Sequence, residues 1–298
     1  MNIRILACTF LTGWLIASSA AWAAEDSTSP LWSYGVALSY MKLEHYPGSK
    51  DFSYVVAPIP TFFYRGQTSR IDDQDGPRAY LLKGTEWNLD LSGGLQPGQN
   101  YAEDSARAGM PSLPWMIEVG PQIVRVLNDE FQLRLGVFQV TATDFTRSSL
   151  NGQYYDLRLV YQDTQETHGW FEGTRSDYLA FSLQGASAEF MATYYEVSQP
   201  FVTPSRPLYH AKPGLLNDEL EIYQVFNKDL ISVYWGAYLD NYDVSVNRQS
   251  PLQQSDHNFT FFVAVGYTLG KSQKKSIPED ETKGLMNRQF LIKDNDPH

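Results

Sequence analysis

Apolar and polar residues alternate along most of this chain. The clearest run ends at Leu269. One face of it carries Phe259, Phe261, Val263, Val265, Tyr267 and Leu269, and the other carries Thr260, Ala264, Gly266 and Thr268. Phe262 is the one exception. Because successive side chains of a strand point to opposite sides, the pattern predicts a β-strand with one apolar face and one small or polar face.

Twelve segments of this kind can be counted before residue 270. They cover approximately residues 31–43, 53–64, 67–72, 77–83, 86–94, 114–126, 131–141, 153–162, 177–195, 215–226, 230–241 and 259–269. An even number of strands, joined by loops that mostly alternate between long and short, is typical of a closed up-and-down barrel in a membrane. The pattern therefore predicts an all-β fold: a closed antiparallel transmembrane β-barrel of about 12 strands. A periplasmic double sandwich is the alternative.

Two further features of the sequence concern the second strand and the loops of the predicted barrel. Pro58 and Pro60 lie on the same side of the second strand, and each removes a ladder donor, so we expect an edge, a bulge or a kink there. The longer loops are expected on the outer side, at 95–113, 142–152, 197–214 and 242–256.

The two ends of the chain differ from the barrel segment at 24–269. Residues 1–23 combine one charge, Arg4, with an apolar run and an Ala-x-Ala pattern, which predicts a secretory signal peptide. Residues 270–298 are mostly polar and, by strand parity, form a periplasmic tail. They are either a disordered extension or a docking segment for a periplasmic partner.

Composition narrows the function classes. The single cysteine, Cys8, lies within the predicted signal peptide, which excludes disulfides and thiolate metal sites from the mature chain. Cleavage also removes Arg4 and takes the formal net charge from −11 to −12, which argues against nucleic acid as a partner. The aromatic content of 14% suits the aromatic girdles of a membrane barrel.

The sequence gives little indication of catalysis. The five histidines are scattered, without the spacing that binds a metal from one element, and no nucleophile elbow or nucleotide-binding loop occurs. We therefore expect no enzyme, no cofactor and no metal.

Charged residues at predicted inward positions are the most informative candidates. They are Asp90, Glu118, Arg134, Asp156, Arg158 and Asp240. Buried charges are stable only if they are hydrated or paired. The lumen is therefore either a water-filled pore or a network of side chains, and mixed signs on neighbouring strands, such as Glu118 near Arg134, favour the network.

Several motifs together resemble the MltA-interacting protein (MipA/OmpV) family. They are Glu44-His45-Tyr46-Pro47-Gly48, Val56-Ala57-Pro58-Ile59-Pro60, Ala106-Arg107-Ala108-Gly109-Met110-Pro111, Trp115-Met116-Ile117-Glu118-Val119-Gly120-Pro121, Tyr194-Tyr195-Glu196-Val197 and Thr203-Pro204-Ser205-Arg206-Pro207 with Tyr209. These patches are spread over about residues 30–269. Members of the family typically end their last strand with an aromatic residue, whereas this chain has Leu269 there.

The resemblance implies an outer-membrane barrel of a Gram-negative bacterium, in contact with outer-membrane lipids. It also implies a scaffold that brings a lytic murein transglycosylase together with a murein synthase. The family has no accepted catalytic residues, so the resemblance assigns none to this chain. Other members are described as porin-like or adhesive, so a small-solute channel and a surface adhesin remain open. Arg107, Arg206 and Tyr209 are loop candidates, either for recognition or for bracing the barrel mouth.

Overall fold

The computed structural model describes residues 29–72, 76–96, 98, 106–168, 172–277 and 284–286. The predicted signal peptide at 1–23 and most of the predicted tail lie outside these residues. Twelve strands form one closed barrel, in which each strand pairs antiparallel with its neighbour in the chain and β1 pairs with β12. The predicted fold class is confirmed.

The strands vary in length from four to 20 residues. They are β1 Trp32–Glu44, β2 Phe52–Arg65, β3 Ser69–Asp72, β4 Gly76–Lys83, β5 Trp87–Gln96, β6 Trp115–Val126, β7 Phe131–Thr143, β8 Ser148–Thr167, β9 Gly173–Ala186, β10 Gly214–Lys228, β11 Ile231–Asn241 and β12 His257–Lys271. A helix α1, Ala188–Tyr195, and a 3-10 turn, Gln199–Phe201, lie between β9 and β10.

The two faces of the wall follow the alternation in the sequence. On β12, Val265 is 53% exposed and points outward, whereas its neighbour Ala264 is 7% exposed and points into the lumen. The same alternation runs along β1, from outward Trp32 to inward Met41. The barrel thus presents an apolar outer surface and a mainly small or polar interior, as in membrane-spanning barrels. No helix within the described residues has the length and apolar character needed to cross a membrane.

The ends of the barrel differ in construction. We call the end that holds residues 29–30 and 272–277 the terminal end, and the opposite end the loop end. At the terminal end Pro30 bridges Lys275, and the Leu31 amide donates to the Lys274 carbonyl at 2.8 Å. Short turns join the strands there, whereas the long segments 187–213 and 242–256 lie at the loop end.

The two prolines of β2 lie at an incompletely paired edge, as expected. Pro58 and Pro60 point outward and sit opposite Leu38 and Val36 of β1. On the other side of β2, the described pairing with β3 covers only Tyr64 and Arg65. Proline lacks the N–H that a central strand needs, so an incompletely paired strand tolerates it better.

The ninth strand was predicted at 177–195, and the predicted end of this strand is wrong. The strand stops at Ala186, and α1 follows with Ser187 at its N-cap position. Helix-favouring Ala, Glu and Met open the segment. Four residues at helical spacing, Phe190, Met191, Tyr194 and Tyr195, are buried beneath the loop end.

The predicted outer loop 142–152 is also wrong in extent. β7 continues to Thr143 and β8 begins at Ser148, so the connection is the tight turn 144–147. The Asp144 carboxylate accepts hydrogen bonds from the amides of Thr146 and Arg147 at 2.8 and 2.7 Å. The hydrogen bond from the Thr146 hydroxyl, together with these two amide bonds, holds the pKa of Asp144 below its usual value.

The outward face of β12 gives a direct test of the membrane orientation. We expect Val265→Arg, in the middle of the strand, to lower the free energy of unfolding by about 2–4 kcal/mol, because it places a charge in hydrocarbon. Urea unfolding in lipid vesicles measures this loss.

The matched control is Leu269→Arg, on the same face but near the end of β12. Its expected cost is about 0–1 kcal/mol, because interfacial positions tolerate charge. Equal costs at the two positions would contradict a depth-dependent lipid contact.

Candidate functional site

The six charges predicted to face the lumen all lie on its wall. Asp90 belongs to β5, Glu118 to β6, Arg134 to β7, Asp156 and Arg158 to β8, and Asp240 to β11. All are buried except Arg158, whose side chain is 13% exposed. The alternation of each strand is what turns these side chains inward.

Arg158 is the centre of one ion-pair cluster. Its Nη1 donates to Glu221 Oε2 at 3.1 Å, its Nε lies 3.2 Å from Asp156 Oδ2, and its Nη2 lies 3.9 Å from Glu219 Oε1. The Tyr178 hydroxyl is a further acceptor at 3.4 Å. One guanidinium thus links three carboxylates on the lumen side of the wall, one from its own strand β8 and two from β10, the next strand but one.

Glu219 and Glu221 were not among the predicted charges. The pattern of β10 is less regular at its start, because a register shift falls between Leu215 and Asn217. Beyond the register shift, Leu220 and Ile222 point outward. The alternation along β10 therefore turns the adjacent Glu219 and Glu221 inward, and this alternation was the signal that could have identified the two glutamates.

Glu118 and Arg134 have separate surroundings. Glu118 Oε1 accepts a 2.6 Å hydrogen bond from Gln96, and the Arg134 guanidinium donates to Gln132 Oε1 at 3.0 and 3.2 Å. Glu118 lies opposite Val140, six residues along β7 from Arg134. That spacing is roughly 20 Å at the rise of a strand, so the two charges that the sequence suggested as neighbours do not meet.

Helix α1 covers the lumen at the loop end. Its buried residues pack in one apolar cluster with Tyr46, Leu113, Met116 and Tyr154. The Tyr194 hydroxyl donates to Gln96 Oε1 at 2.9 Å, and the Tyr195 hydroxyl donates to the Pro47 carbonyl at 3.1 Å. The helix is therefore held by Pro47, in the loop before β2, and by Gln96, at the end of β5.

The three loop candidates brace this cover. Arg107 Nη1 donates to the carbonyls of Thr193 and Tyr194, at 3.3 and 3.0 Å, at the end of α1. Arg206 Nη1 donates to the carbonyls of Ala106 and Ala108, at 2.7 and 3.1 Å, which joins the loop before β10 to the loop before β6.

Tyr209 completes the bracing through both its backbone and its side chain. Its backbone pairs with Val197, and its hydroxyl donates to Asn247 Oδ1 at 3.2 Å in the loop between β11 and β12. All three residues contact helix α1 or the segments at the loop end, which fits bracing of the barrel mouth.

Gly152 allows α1 to approach β8 closely. Its φ of +80° is a conformation that side chains disfavour, and an added Cβ would lie 2.1 Å from Ser187 Oγ and 3.0 Å from the Phe190 amide nitrogen. No other residue type fits this position without moving the start of the helix.

A closed twelve-stranded barrel with an apolar exterior and a charged, filled lumen is an outer-membrane-type β-barrel. The chain belongs to the MltA-interacting protein MipA family, whose model matches residues 34–269. No curated protein matches it. Among solved structures, a Pseudomonas aeruginosa FadL homologue is similar at 10% sequence identity and a TM-score of 0.28, covering 80% of this chain and 68% of that chain.

Because Arg158 pairs with several buried carboxylates, we expect its substitution to lower the free energy of unfolding strongly. Arg158→Met leaves Asp156, Glu219 and Glu221 without their shared cation, and breaking a buried pair costs about 3–5 kcal/mol. Urea unfolding in vesicles measures the loss, and adding Glu221→Gln to the same variant should restore part of it.

Arg175→Met is the matched control. Arg175 pairs with Asp177 at 2.8 Å, but its side chain is 39% exposed, so we expect a cost below about 1 kcal/mol. A similar small loss in both variants would show that Arg158 does not hold the lumen together.

Because α1 lies so close to Gly152, we expect a larger residue at this position to loosen the loop end. Gly152→Ala should destabilise the protein by more than the ~1–2 kcal/mol of left-handed backbone strain alone and should make residues 187–195 more susceptible to protease. Gly109→Ala is the control, because Gly109 has a φ of +78° but nothing within 4 Å of an added Cβ. Equal effects would mean that the contact with α1 does not matter.

Proposed function

We propose that this chain is a non-enzymatic outer-membrane scaffold of a Gram-negative bacterium. It links the membrane to murein turnover by binding a lytic murein transglycosylase and, through it, a murein synthase. The observation that carries the proposal is the family match over residues 34–269, because the family is described by an interaction with MltA. The apolar exterior supports contact with outer-membrane lipids.

The filled lumen supports a scaffold over a channel. The Arg158 cluster takes up space on the lumen side of β8–β10, and α1 with the Arg107 and Arg206 contacts covers the loop end. A diffusion pore needs a continuous water-filled path; the cluster narrows that path and α1 covers its loop end.

The terminal end is the proposed partner surface. Short turns face the periplasm in barrels of this type, and murein enzymes act in that compartment. Residues 272–276 of the tail pair with residues 29–32, and the Ile277 carbonyl accepts a hydrogen bond from Arg70 of β3 at 3.0 Å, so the tail starts along this rim. A polar segment anchored at the periplasmic rim can reach a soluble enzyme without disturbing the wall.

Conductance separates the scaffold from the channel. In planar bilayers we expect the purified protein to show little or no steady conductance, because charged side chains and α1 fill the lumen. Large, regular current steps would instead favour the channel.

Affinity capture tests the partner. The intact protein, used as bait in an envelope extract, should recover a lytic murein transglycosylase. Truncation after Ile277 keeps the pairing at the terminal end and removes the rest of the tail, so loss of capture by this variant would identify the tail as the contact. Recovery of no murein enzyme by either bait would contradict the scaffold.

A further inference from the structure

Strand β8 is the longest strand of the barrel, and at the terminal end it extends beyond its neighbour β7. Phe131, the first residue of β7, lies opposite Tyr161, and β8 continues for six more residues to Thr167. Six residues correspond to roughly 20 Å along a strand. β9 pairs with this part of β8 throughout. The terminal end therefore carries a projecting piece of sheet, and we call its outer strand, residues 162–167, the β8 extension.

Both faces of the β8 extension are polar. From Tyr155 to Tyr161 the outward side chains of β8 are aromatic or leucine, and the Tyr161 ring packs on Phe131 at a centroid distance of 5.1 Å. The side chains that follow are Gln162, Asp163, Thr164, Gln165, Glu166 and Thr167. A lipid-facing strand keeps an apolar residue at every second position. The β8 extension therefore lies outside the hydrocarbon, on the side that the proposed function assigns to the periplasm.

One edge of the β8 extension has no neighbouring strand among the described residues. The amide of Gln162 donates to the Glu130 carbonyl at 2.9 Å, and Glu130 already lies in the turn before β7. In an antiparallel ladder, residues two apart direct their backbone groups to the same neighbour. Thr164 and Glu166 therefore direct their N–H and C=O groups to the side that β7 leaves open. We call this side the free edge, and backbone groups presented in this way are a template for another strand.

Of the devices that protect a sheet edge from pairing, the β8 extension carries only charge. The stretch 163–166 contains no proline, lysine or glycine, and no register shift interrupts its pairing with β9. β2 provides the contrast, because Pro58 and Pro60 lie in the part of that strand without a described partner on the β3 side. Proline and bulges prevent strand pairing, whereas charge only selects which strand can pair. The free edge therefore keeps the donors and acceptors that a partner strand needs.

The charges beside the free edge are negative. Four carboxylates lie on the extension or in the adjoining turn: Asp163, Glu166, Asp129 and Glu130. None of the four forms an ion pair with a described residue, and Arg175 of β9 pairs with Asp177 instead, at 2.8 Å. Opposite charges on neighbouring strands stabilise a sheet and like charges destabilise it. The free edge therefore favours a strand that carries lysine or arginine.

We propose that the free edge of β8 binds an extended, basic segment of a soluble periplasmic protein by strand addition. The backbone of the segment pairs with Thr164 and Glu166, and its lysine or arginine side chains meet the four carboxylates. This inference rests on the proposed scaffold function for the identity of the partner, and it adds the surface that the partner contacts. The surface is distinct from the described start of the tail, which pairs with residues 29–32 and contacts Arg70 of β3.

The first test does not depend on murein enzymes. The probe is a short fluorescein-labelled peptide that alternates Lys and Thr, and fluorescence anisotropy measures its binding to the full chain in a neutral maltoside detergent. We expect saturable binding of this peptide and no binding of the matching Glu–Thr peptide. Thr164→Pro should weaken the binding ~10-fold or more, because it removes the N–H at the free edge without removing a bond to β9.

Thr164→Ala is the matched control. It removes the same side chain, including its 2.9 Å contact with Ser176, but keeps the N–H, so we expect it to bind the peptide like the wild type. No binding of the Lys–Thr peptide, equal binding of the Glu–Thr peptide, or equal binding by the two Thr164 variants would overturn the inference. If Thr164→Pro does not form a barrel, as judged by its migration in unheated SDS gels, Glu166→Pro and Glu166→Ala make the same comparison.

A purified lytic murein transglycosylase separates failure of this inference from failure of the scaffold. We expect the enzyme to bind the wild type and Thr164→Ala and to bind Thr164→Pro ~10-fold or more weakly. Undiminished binding to Thr164→Pro would leave the scaffold in place and overturn the free edge as its contact surface. No binding of the enzyme to the wild type would contradict the scaffold, and the peptide result would then decide the strand addition by itself.

Discussion

Hydrogen bonding of the backbone in hydrocarbon is the constraint on which this structure depends. A membrane core offers no water to unpaired N–H and C=O groups, so a sheet can cross it only as a closed ring. The pairing of β1 with β12, from Ser33 opposite Lys271 to Lys42 opposite Phe261, completes that ring. Once it is closed, the alternation of each strand fixes which side chains meet lipid and which meet one another. The filling of the lumen follows from this division.

Filling the lumen takes two forms in this protein. In the middle, one guanidinium holds carboxylates from separate strands, which replaces their lost hydration by charge pairing. At the loop end, an apolar helix and arginine-to-carbonyl bonds join loops that are far apart in the chain.

Much of the fold could be predicted from the sequence. Successive side chains of a strand face lipid and lumen in turn, so apolar and polar residues alternate along the chain. The apolar face of β12 and the inward positions of Asp156 and Asp240 followed from parity alone. Helix α1 was missed because its eight residues include three aromatic side chains, which favour strands and therefore resemble the continuation of a buried strand. The Arg206 contacts were not predictable, since the Ala106 carbonyl lies 100 residues away and backbone acceptors carry no sequence signal.

The pairing of Pro30 with Lys275 brings the two sides of the seam together at one rim. A short linker across that rim would let the chain be circularly permuted, with new ends opened in the turn between β10 and β11. In the permuted protein β1 and β12 would be joined covalently, and the seam closed last would lie between β10 and β11. Comparing the insertion rates of the two versions would then show whether the position of the last-closing seam, or the chemistry of the strands that form it, governs the assembly of the ring.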